Sequence, residues 1–318
     1  MSLRLTRCAY PWLRNESNAD ERLTLGVNPP VVRINELDPS ASPLDYYGSE
    51  LRRLREAAGL NQAELGGCIF CTGSLVGQIE TAKKVPTRDF SERLDAALGT
   101  DGAFSRLVGL VLRSQLPSWF QAYAEMEARA TYISTFQAQY VYGLLQTPDY
   151  ARAVLATGMP RNLDDLLEAR MERQRILERK DPPLVMVILD EAALYRPIGG
   201  RVVMREQLRH LLICGQRRWV QVQVLPYSVG EHTGLIGSFN QLRFDDDPDI
   251  VYTEDLISGH MTANPETIRE ATLRYANLQA AALSVEDSAE LITRVMEERY
   301  GDHPGPEEHA VAKGFVQR

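Results

Sequence analysis

The chain has 318 residues, a formal net charge of −8, and hydrophobic and charged fractions of 44% and 25%, values of a soluble globular protein long enough for two domains. Its longest clean aliphatic run, residues 184–189, falls far short of the ~20 apolar residues of a membrane helix, which excludes a membrane-spanning protein. Four cysteines, Cys8, Cys68, Cys71 and Cys214, are too few for a disulfide scaffold, and the opening MSLRLTRCAYPWLRNES has no apolar core of a secretory signal, so the cytoplasm is the expected compartment.

The acidity is uneven. Residues 1–46 carry net −1, residues 47–116 net +1 and residues 117–318 net −8. A near-neutral segment still binds DNA if its cations share one face, and salt weakens such binding.

Residues 1–46 lack sustained periodicity and hold Pro29, Pro30, Pro39 and Pro43. They read as a largely disordered arm with a short extended piece at 31–34. In 47–116 the pattern changes. Leu51, Leu54 and Ala58 recur at helical spacing up to Gly59. Asn61 with Glu64 three residues on is a capping box, opening a second helix from Gln62 to about Cys68. Thr72 caps a third that turns Val76 and Ile79 inward. Pro86-Thr87 opens a fourth with Phe90, Leu94 and Ala97, and Phe104, Leu107, Val108 and Val111 mark a fifth.

The stretches ELRRLREAAGLNQAEL and TGSLVGQIETAKKVP resemble the helix-turn-helix of Xre-type, Cro-like regulators, across roughly residues 47–100. The resemblance implies that the third helix lies in the major groove of double-stranded DNA. It implies bases facing Gly73, Ser74 and Gln78 behind the cap Thr72, phosphate contact from Gln62, and backbone contact from Lys83 and Lys84. Two glycines usual in that family are replaced, in the turn by Phe70 and after the third helix by Thr81-Ala82. A left-handed alanine costs on the order of 1 kcal/mol, so the loop after the third helix is expected to take a different path. With Gly73 in the reading helix, base contacts are few. A homodimer on half-sites one DNA turn apart is therefore expected, with 107–112 more apolar than one helix face needs. Cys68 and Cys71 form a C-x-x-C with no further Cys or His in 47–116, so they read as small turn residues rather than zinc ligands, a thiol switch being the alternative.

Beyond Pro117 the character shifts. Eight of the chain's 24 aromatics, among them Trp119, Tyr140, Tyr142 and Tyr150, lie in 119–150. Then come a charged helix at 163–180, a buried strand at 184–189, an amphipathic helix at 203–214 and a half-buried strand at 220–225. A strand pair at 237–244 and 250–255 flanks a solvated Asp245-Asp-Asp-Pro tip. Helices at 265–282 and 285–300 and a flexible tail at 301–318 complete the chain. The fold class expected is mixed: an all-α helix-turn-helix domain of about five helices at 47–116, then an α+β domain at 117–300. The phrases GLLQTPDYARAVL, RMERQRIL, LDEAALYR, VLPYSVGEHTGLIGSF and YTEDL resemble the C-terminal domain of actinobacterial Xre-type, antitoxin-like regulators. That resemblance implies a DNA-binding regulator, often with a small partner protein, and no established catalysis.

The residues offer little chemistry of their own. His210 and Cys214 stand at i, i+4, where two metal ligands would need His232 or His260 to join them. Asp190 and Glu191 follow a strand, and Glu231 and His232 sit in a Gly-flanked loop, from which an acid–base pair can be drawn but is not required. No P-loop, Rossmann fingerprint, nucleophile elbow or H-E-x-x-H occurs. The expectation is a non-enzymatic transcriptional regulator without cofactor or metal, whose C-terminal domain senses a small-molecule effector or partner protein. Trp119, Tyr140, Tyr142, Glu231 and His232 are the candidates for that surface. The alternative is an antitoxin-like protein that chiefly neutralises a small partner and autoregulates through DNA; a disguised enzyme is the third reading.

Overall fold

The computed structural model describes residues 37–301; the first 36 residues, with the extended piece expected at 31–34, and residues 302–318 lie outside the described residues. Helix α1 (Pro43–Ala57) opens four residues ahead of the expected boundary. Pro43 sits in its first turn, where a missing N–H is harmless, and Ser42 caps it by accepting from the Asp45 N–H at 3.1 Å. Helices α2 (Gln62–Cys68), α3 (Gly73–Glu80), α4 (Arg88–Leu98) and α5 (Ala103–Ser114) follow as the caps and stripes predict. The Asn61–Glu64 capping box is formed in both directions, at 2.9 and 2.7 Å. Thr72 and Thr87 cap α3 and α4 through their hydroxyls. Of the fourth helix's expected stripe, Phe90 and Leu94 are buried and Ala97 faces outward.

Then come α6 (Ser118–Glu127), β1 (Tyr132–Gln137), α7 (Pro148–Ala156), α8 (Leu163–Gln174), β2 (Leu184–Asp190), the single turn α9 (Ala192–Tyr195), α10 (Arg201–Gly215) and β3 (Val220–Leu225). Strands β4 (Phe239–Arg243), β5 (Ile250–Glu254) and β6 (Gly259–Thr262) precede α11 (Pro265–Ala281) and α12 (Val285–Tyr300). The six strands form one sheet in the order β3-β2-β1-β4-β5-β6. Its first half is parallel, with Ile133 beside Val185 and Val187 beside Val222, and its second half is antiparallel, with Thr135 beside Asn240 and Tyr252 beside Met261. The fold is thus a helical helix-turn-helix region followed by a mixed α and β domain, as expected.

Side chains alternate across each strand, so the sheet is covered on both faces. Val185, Val187, Leu189, Val222 and Val224 meet Leu208 and Leu211 of α10 and Ile292 and Val295 of α12. Phe136, Ile188, Leu225 and Val251 face the other way, onto Ala271, Tyr275 and Leu278 of α11. Residues 37–301 lie within one compact unit, and the first of these cores runs on without a break into the helix-turn-helix core of Leu51, Leu65, Val76 and Val108.

Two expectations are corrected here. The loop after α3 does not avoid the left-handed conformation: Ala82 adopts it there at φ 53°, and Phe70 does so in the α2–α3 turn at φ 56°. Each pays the Cβ strain that glycine would spare. At Ala82 the return is a helix stop, with the Lys83 N–H donating to the Gln78 carbonyl at 2.9 Å. The acidic tip between β4 and β5 is not merely solvated, because Arg129 pairs with Asp247 and the Thr131 hydroxyl donates to Asp245 at 3.2 Å.

Candidate nucleic-acid interface and ligand cleft

The geometry of the helix-turn-helix starts from a buried charge. Glu80, 3% exposed, ends α3. Its carboxylate accepts two hydrogen bonds from Arg55 of α1 and a third, at 2.8 Å, from the Gln62 amide of α2. One residue thereby fixes the three helices that set the angle of α3. Gln62 lies over Gly77, where a Cβ would come within 2.8 Å of its amide oxygen. Part of its donor capacity is spent inside the protein rather than kept for a phosphate.

On α3, Ser74 and Gln78 are exposed and adjacent, the Gln78 amide lying 3.4 Å from the Ser74 hydroxyl, and the cap Thr72 is exposed beside them. Gly73 is different, and its expected base-facing role is corrected. A Cβ there would stand 2.9 Å from the Ala63 backbone, so the position points into the α2–α3 contact and glycine is needed for close approach. Lys83 is exposed. Lys84 instead turns toward the C-terminal domain, its Nζ 3.9 Å from Asp165 on α8. Cys68 and Cys71 are free thiols.

Helix α8 joins the two halves of the molecule. Asp165, Glu168 and Glu172 fall on one face of it by helical spacing. Glu172 pairs with Arg88 at the start of α4, and Asp165 approaches Lys84. Burial pushes the Asp165 and Glu168 carboxyls up from their ordinary range, and Lys84 only partly offsets this. The next face of the same helix carries Arg170 and Arg173 into a cleft of about 490 Å³ in the C-terminal domain.

This cleft opens beyond the carboxyl end of β1, between Gln137–Tyr140, the start of β4 at Gly237–Asn240 and the end of β5 at Thr253–Asp255, with Phe120 and Tyr123 of α6 and Tyr142 as its floor. The chain leaves β1 for β2 on one side and returns from β3 to β4 on the other. It is a topological switch point, where crevices form in open sheets with crossover connections. Arg173, 8% exposed, makes a fork-to-fork pair with Glu127, 1% exposed, at 2.8 and 2.9 Å. The Tyr142 hydroxyl donates to the same carboxylate at 2.6 Å. Burial opposes the Arg173 charge, but Glu127 outweighs it and pushes its pKa up. Among the described residues Arg170 has no such carboxylate partner. Burial, and then the like charge of Arg173, push it down to about 10, which leaves it a cation at neutral pH.

Of the sequence candidates for a sensing surface, Tyr140 and Tyr142 line the cleft, Tyr142 as a buried part of the Glu127 network. Trp119 packs behind it, edge-on to Phe120 and against Gly259. Glu231 and His232 lie outside the cleft. His232 stands on the Phe136 ring, its Nδ1 accepts from the Gly234 N–H at 3.2 Å and its Nε2 lies 3.5 Å from Asp190, while Glu231 is exposed. His210 and Cys214 do meet, at 3.3 Å, but His232 and His260 pair with Asp190 and Asp255 elsewhere. Among the described residues no group of three or more His, Cys, Asp or Glu is placed to hold a metal. Sequence reasoning missed Glu127, Gln137, Arg170, Arg173, Asn240 and Glu254; the only signal was the charge-dense RMERQ phrase inside a helix with little else to distinguish its faces.

Two family models match the chain. Residues 47–106 match a helix-turn-helix domain, and residues 120–294 match a domain of unknown function (DUF5753). No curated protein and no solved structure matches it.

Proposed function

Because the chain belongs to the DUF5753 family and carries a helix-turn-helix domain ahead of that domain, which makes it a DNA-binding regulator, we propose that occupancy of its C-terminal cleft governs how α3 meets DNA. Helix α8 is the lever. The observation that carries this is the division of its two faces, Asp165 and Glu172 against Lys84 and Arg88 of the helix-turn-helix, Arg170 and Arg173 against the cleft. A ligand that binds one position of α8 better than another shifts the equilibrium between them. A tenfold change in operator affinity needs ~1.4 kcal/mol of such coupling.

In this reading Ser74 and Gln78 face bases, Thr72 and Lys83 flank them, and Lys84 is shared between Asp165 and a phosphate. A duplex selected from a random pool provides the test. Gln78→Ala is expected to cost ~1–3 kcal/mol of specific binding and to relax one base position. Asp165→Asn frees Lys84, so it is expected to tighten binding to every sequence and to steepen the salt dependence by ~1. If Asp165→Asn leaves affinity and salt slope at their wild-type values, α8 does not compete with DNA.

The same proposal includes a homodimer. Between α1 and α5, Tyr46, Leu54, Leu107 and Leu110 line a groove of about 270 Å³, and Leu110 is 49% exposed. Two copies joined there would place two reading helices on successive half-sites. Sedimentation of the free chain and of its DNA complex is expected to give a dimer, and Leu110→Glu a monomer. A monomer in both wild-type runs refutes it.

A further inference from the structure

The cleft beyond β1 holds two opposite charges that do not meet. Arg170 donates one hydrogen bond, to the Gln146 side-chain oxygen at 2.8 Å, and no carboxylate comes within ion-pair distance of it among the described residues. Glu254, at the end of β5, accepts from the Tyr252 hydroxyl at 3.0 Å and has no cation within ion-pair distance among the described residues. Tyr140 lines the same cleft within electrostatic reach of both, and its hydroxyl makes no hydrogen bond among the described residues.

The neighbouring charged groups are engaged elsewhere. Arg173 and Tyr142 converge on Glu127, and the Gln137 amide donates to Thr135 and Asn240 at 2.7 and 3.1 Å. Asp255 is occupied by the Ile257 and Ser258 N–H groups of its own turn. Among the charged groups and tyrosines that line the cleft, one guanidinium, one carboxylate oxygen and one phenol are left unspent, facing a common space.

We propose that this cleft binds a small zwitterion of the α-amino-acid type, its carboxylate on Arg170 and its ammonium on Glu254, with the Tyr140 hydroxyl beside them. The guanidinium fork matches a carboxylate in a bidentate way. An ammonium is a strong donor to Glu254, and the tyrosines Tyr140 and Tyr252 line the same cleft. A simple anion would meet Glu254 and Asp255, and a simple amine would meet Arg170, each without the matching partner. A ligand carrying both signs satisfies both. A space of about 490 Å³ lies within the usual range for small-molecule sites and leaves room for a large side chain or a second residue.

The proposal rests on the reading of this domain as a sensor, so binding is measured first without DNA. The full-length chain is titrated calorimetrically with each of the twenty standard L-amino acids and with dipeptides of those that bind. The decarboxylated amine and the N-acetyl form of each binder serve as controls. At least one amino acid or dipeptide is expected to bind, with both controls at least about tenfold weaker. Arg170→Gln and Glu254→Gln are each expected to lose about tenfold or more, and Glu254, being exposed, provides a variant that leaves folding intact. The proposal is overturned if no amino acid binds, if either control binds as tightly as its parent, or if Glu254→Gln binds like the wild type. Absence of binding leaves the DNA-binding reading standing. A bound amino acid that does not change operator affinity leaves the site standing and removes the sensor reading.

Discussion

Glu80→Ala is expected to destabilise the helix-turn-helix by about 3–5 kcal/mol, the cost of removing one partner from a buried ion pair, and to abolish operator binding with it. Arg55, 8% exposed, would keep only the Leu60 carbonyl, at 2.7 Å, and a contact with the half-exposed Glu56 at 3.3 Å. Gln62 would lose its hold on α3 as well. The cost comes from the stranded charge rather than from the lost attraction, since pairing two ions in the interior barely repays their desolvation. The double variant Arg55→Met with Glu80→Leu is therefore expected to recover most of the stability. It would not recover the fixed angle between α1, α2 and α3 that the three hydrogen bonds impose. Urea unfolding followed by circular dichroism reads the first effect, and affinity for the selected duplex reads the second. A Glu80→Ala chain that unfolds at the wild-type midpoint and binds DNA normally would show that the pair is dispensable.

The contrast between the two halves explains what could be read from the sequence. In the helix-turn-helix each helix announces its own start, with Asn61, Thr72 and Thr87 as caps. Each also turns one apolar stripe inward, as Val76 and Ile79 do on α3, so local rules suffice. Strand β1 escaped notice because its buried positions include Ser134, Thr135 and Gln137. Apart from the bond between Gln137 and Thr135, their side chains find their partners more than a hundred positions away, Gln241 and Asn240 on β4. Without β1 the switch point is invisible, and so is the cleft beyond it. The charged residues of α8 read as a solvated face, since nothing local distinguishes Glu172, which holds the helix-turn-helix, from Arg173, which reaches 46 residues back to Glu127. Gly73 misled for the reverse reason: its place in the motif suggested an outward position, whereas the approach of Ala63 is a matter of tertiary packing.

Glu127→Ala is expected to have the largest effect in the C-terminal domain, again about 3–5 kcal/mol. Glu127 ends α6 and lies between two spaces. Arg173, its partner, lines both the cleft beyond β1 and a second cavity of about 360 Å³ that reaches Leu112 and Arg113 of α5. Without the carboxylate, Arg173 would be left over the Phe120 ring, 4.6 Å from its centroid, beside the equally unpaired Arg170. Cation–π attraction of ~1–2 kcal/mol does not replace a buried fork-to-fork pair. The Tyr142 hydroxyl would keep only the Tyr123 hydroxyl, at 3.3 Å. Glu127→Gln separates charge from shape, because an amide still accepts from Arg173 but does not neutralise it. Its stability loss is expected to be smaller, and the two bare guanidinium groups should now draw simple anions into the cleft. Urea unfolding measures the first effect and calorimetry with sulfate the second. If Glu127→Ala unfolds like the wild type, α8 is held by its other contacts. The Glu127 pair is then not what ties the cleft to the helix-turn-helix, and the path between them must run through Glu172 and Arg88.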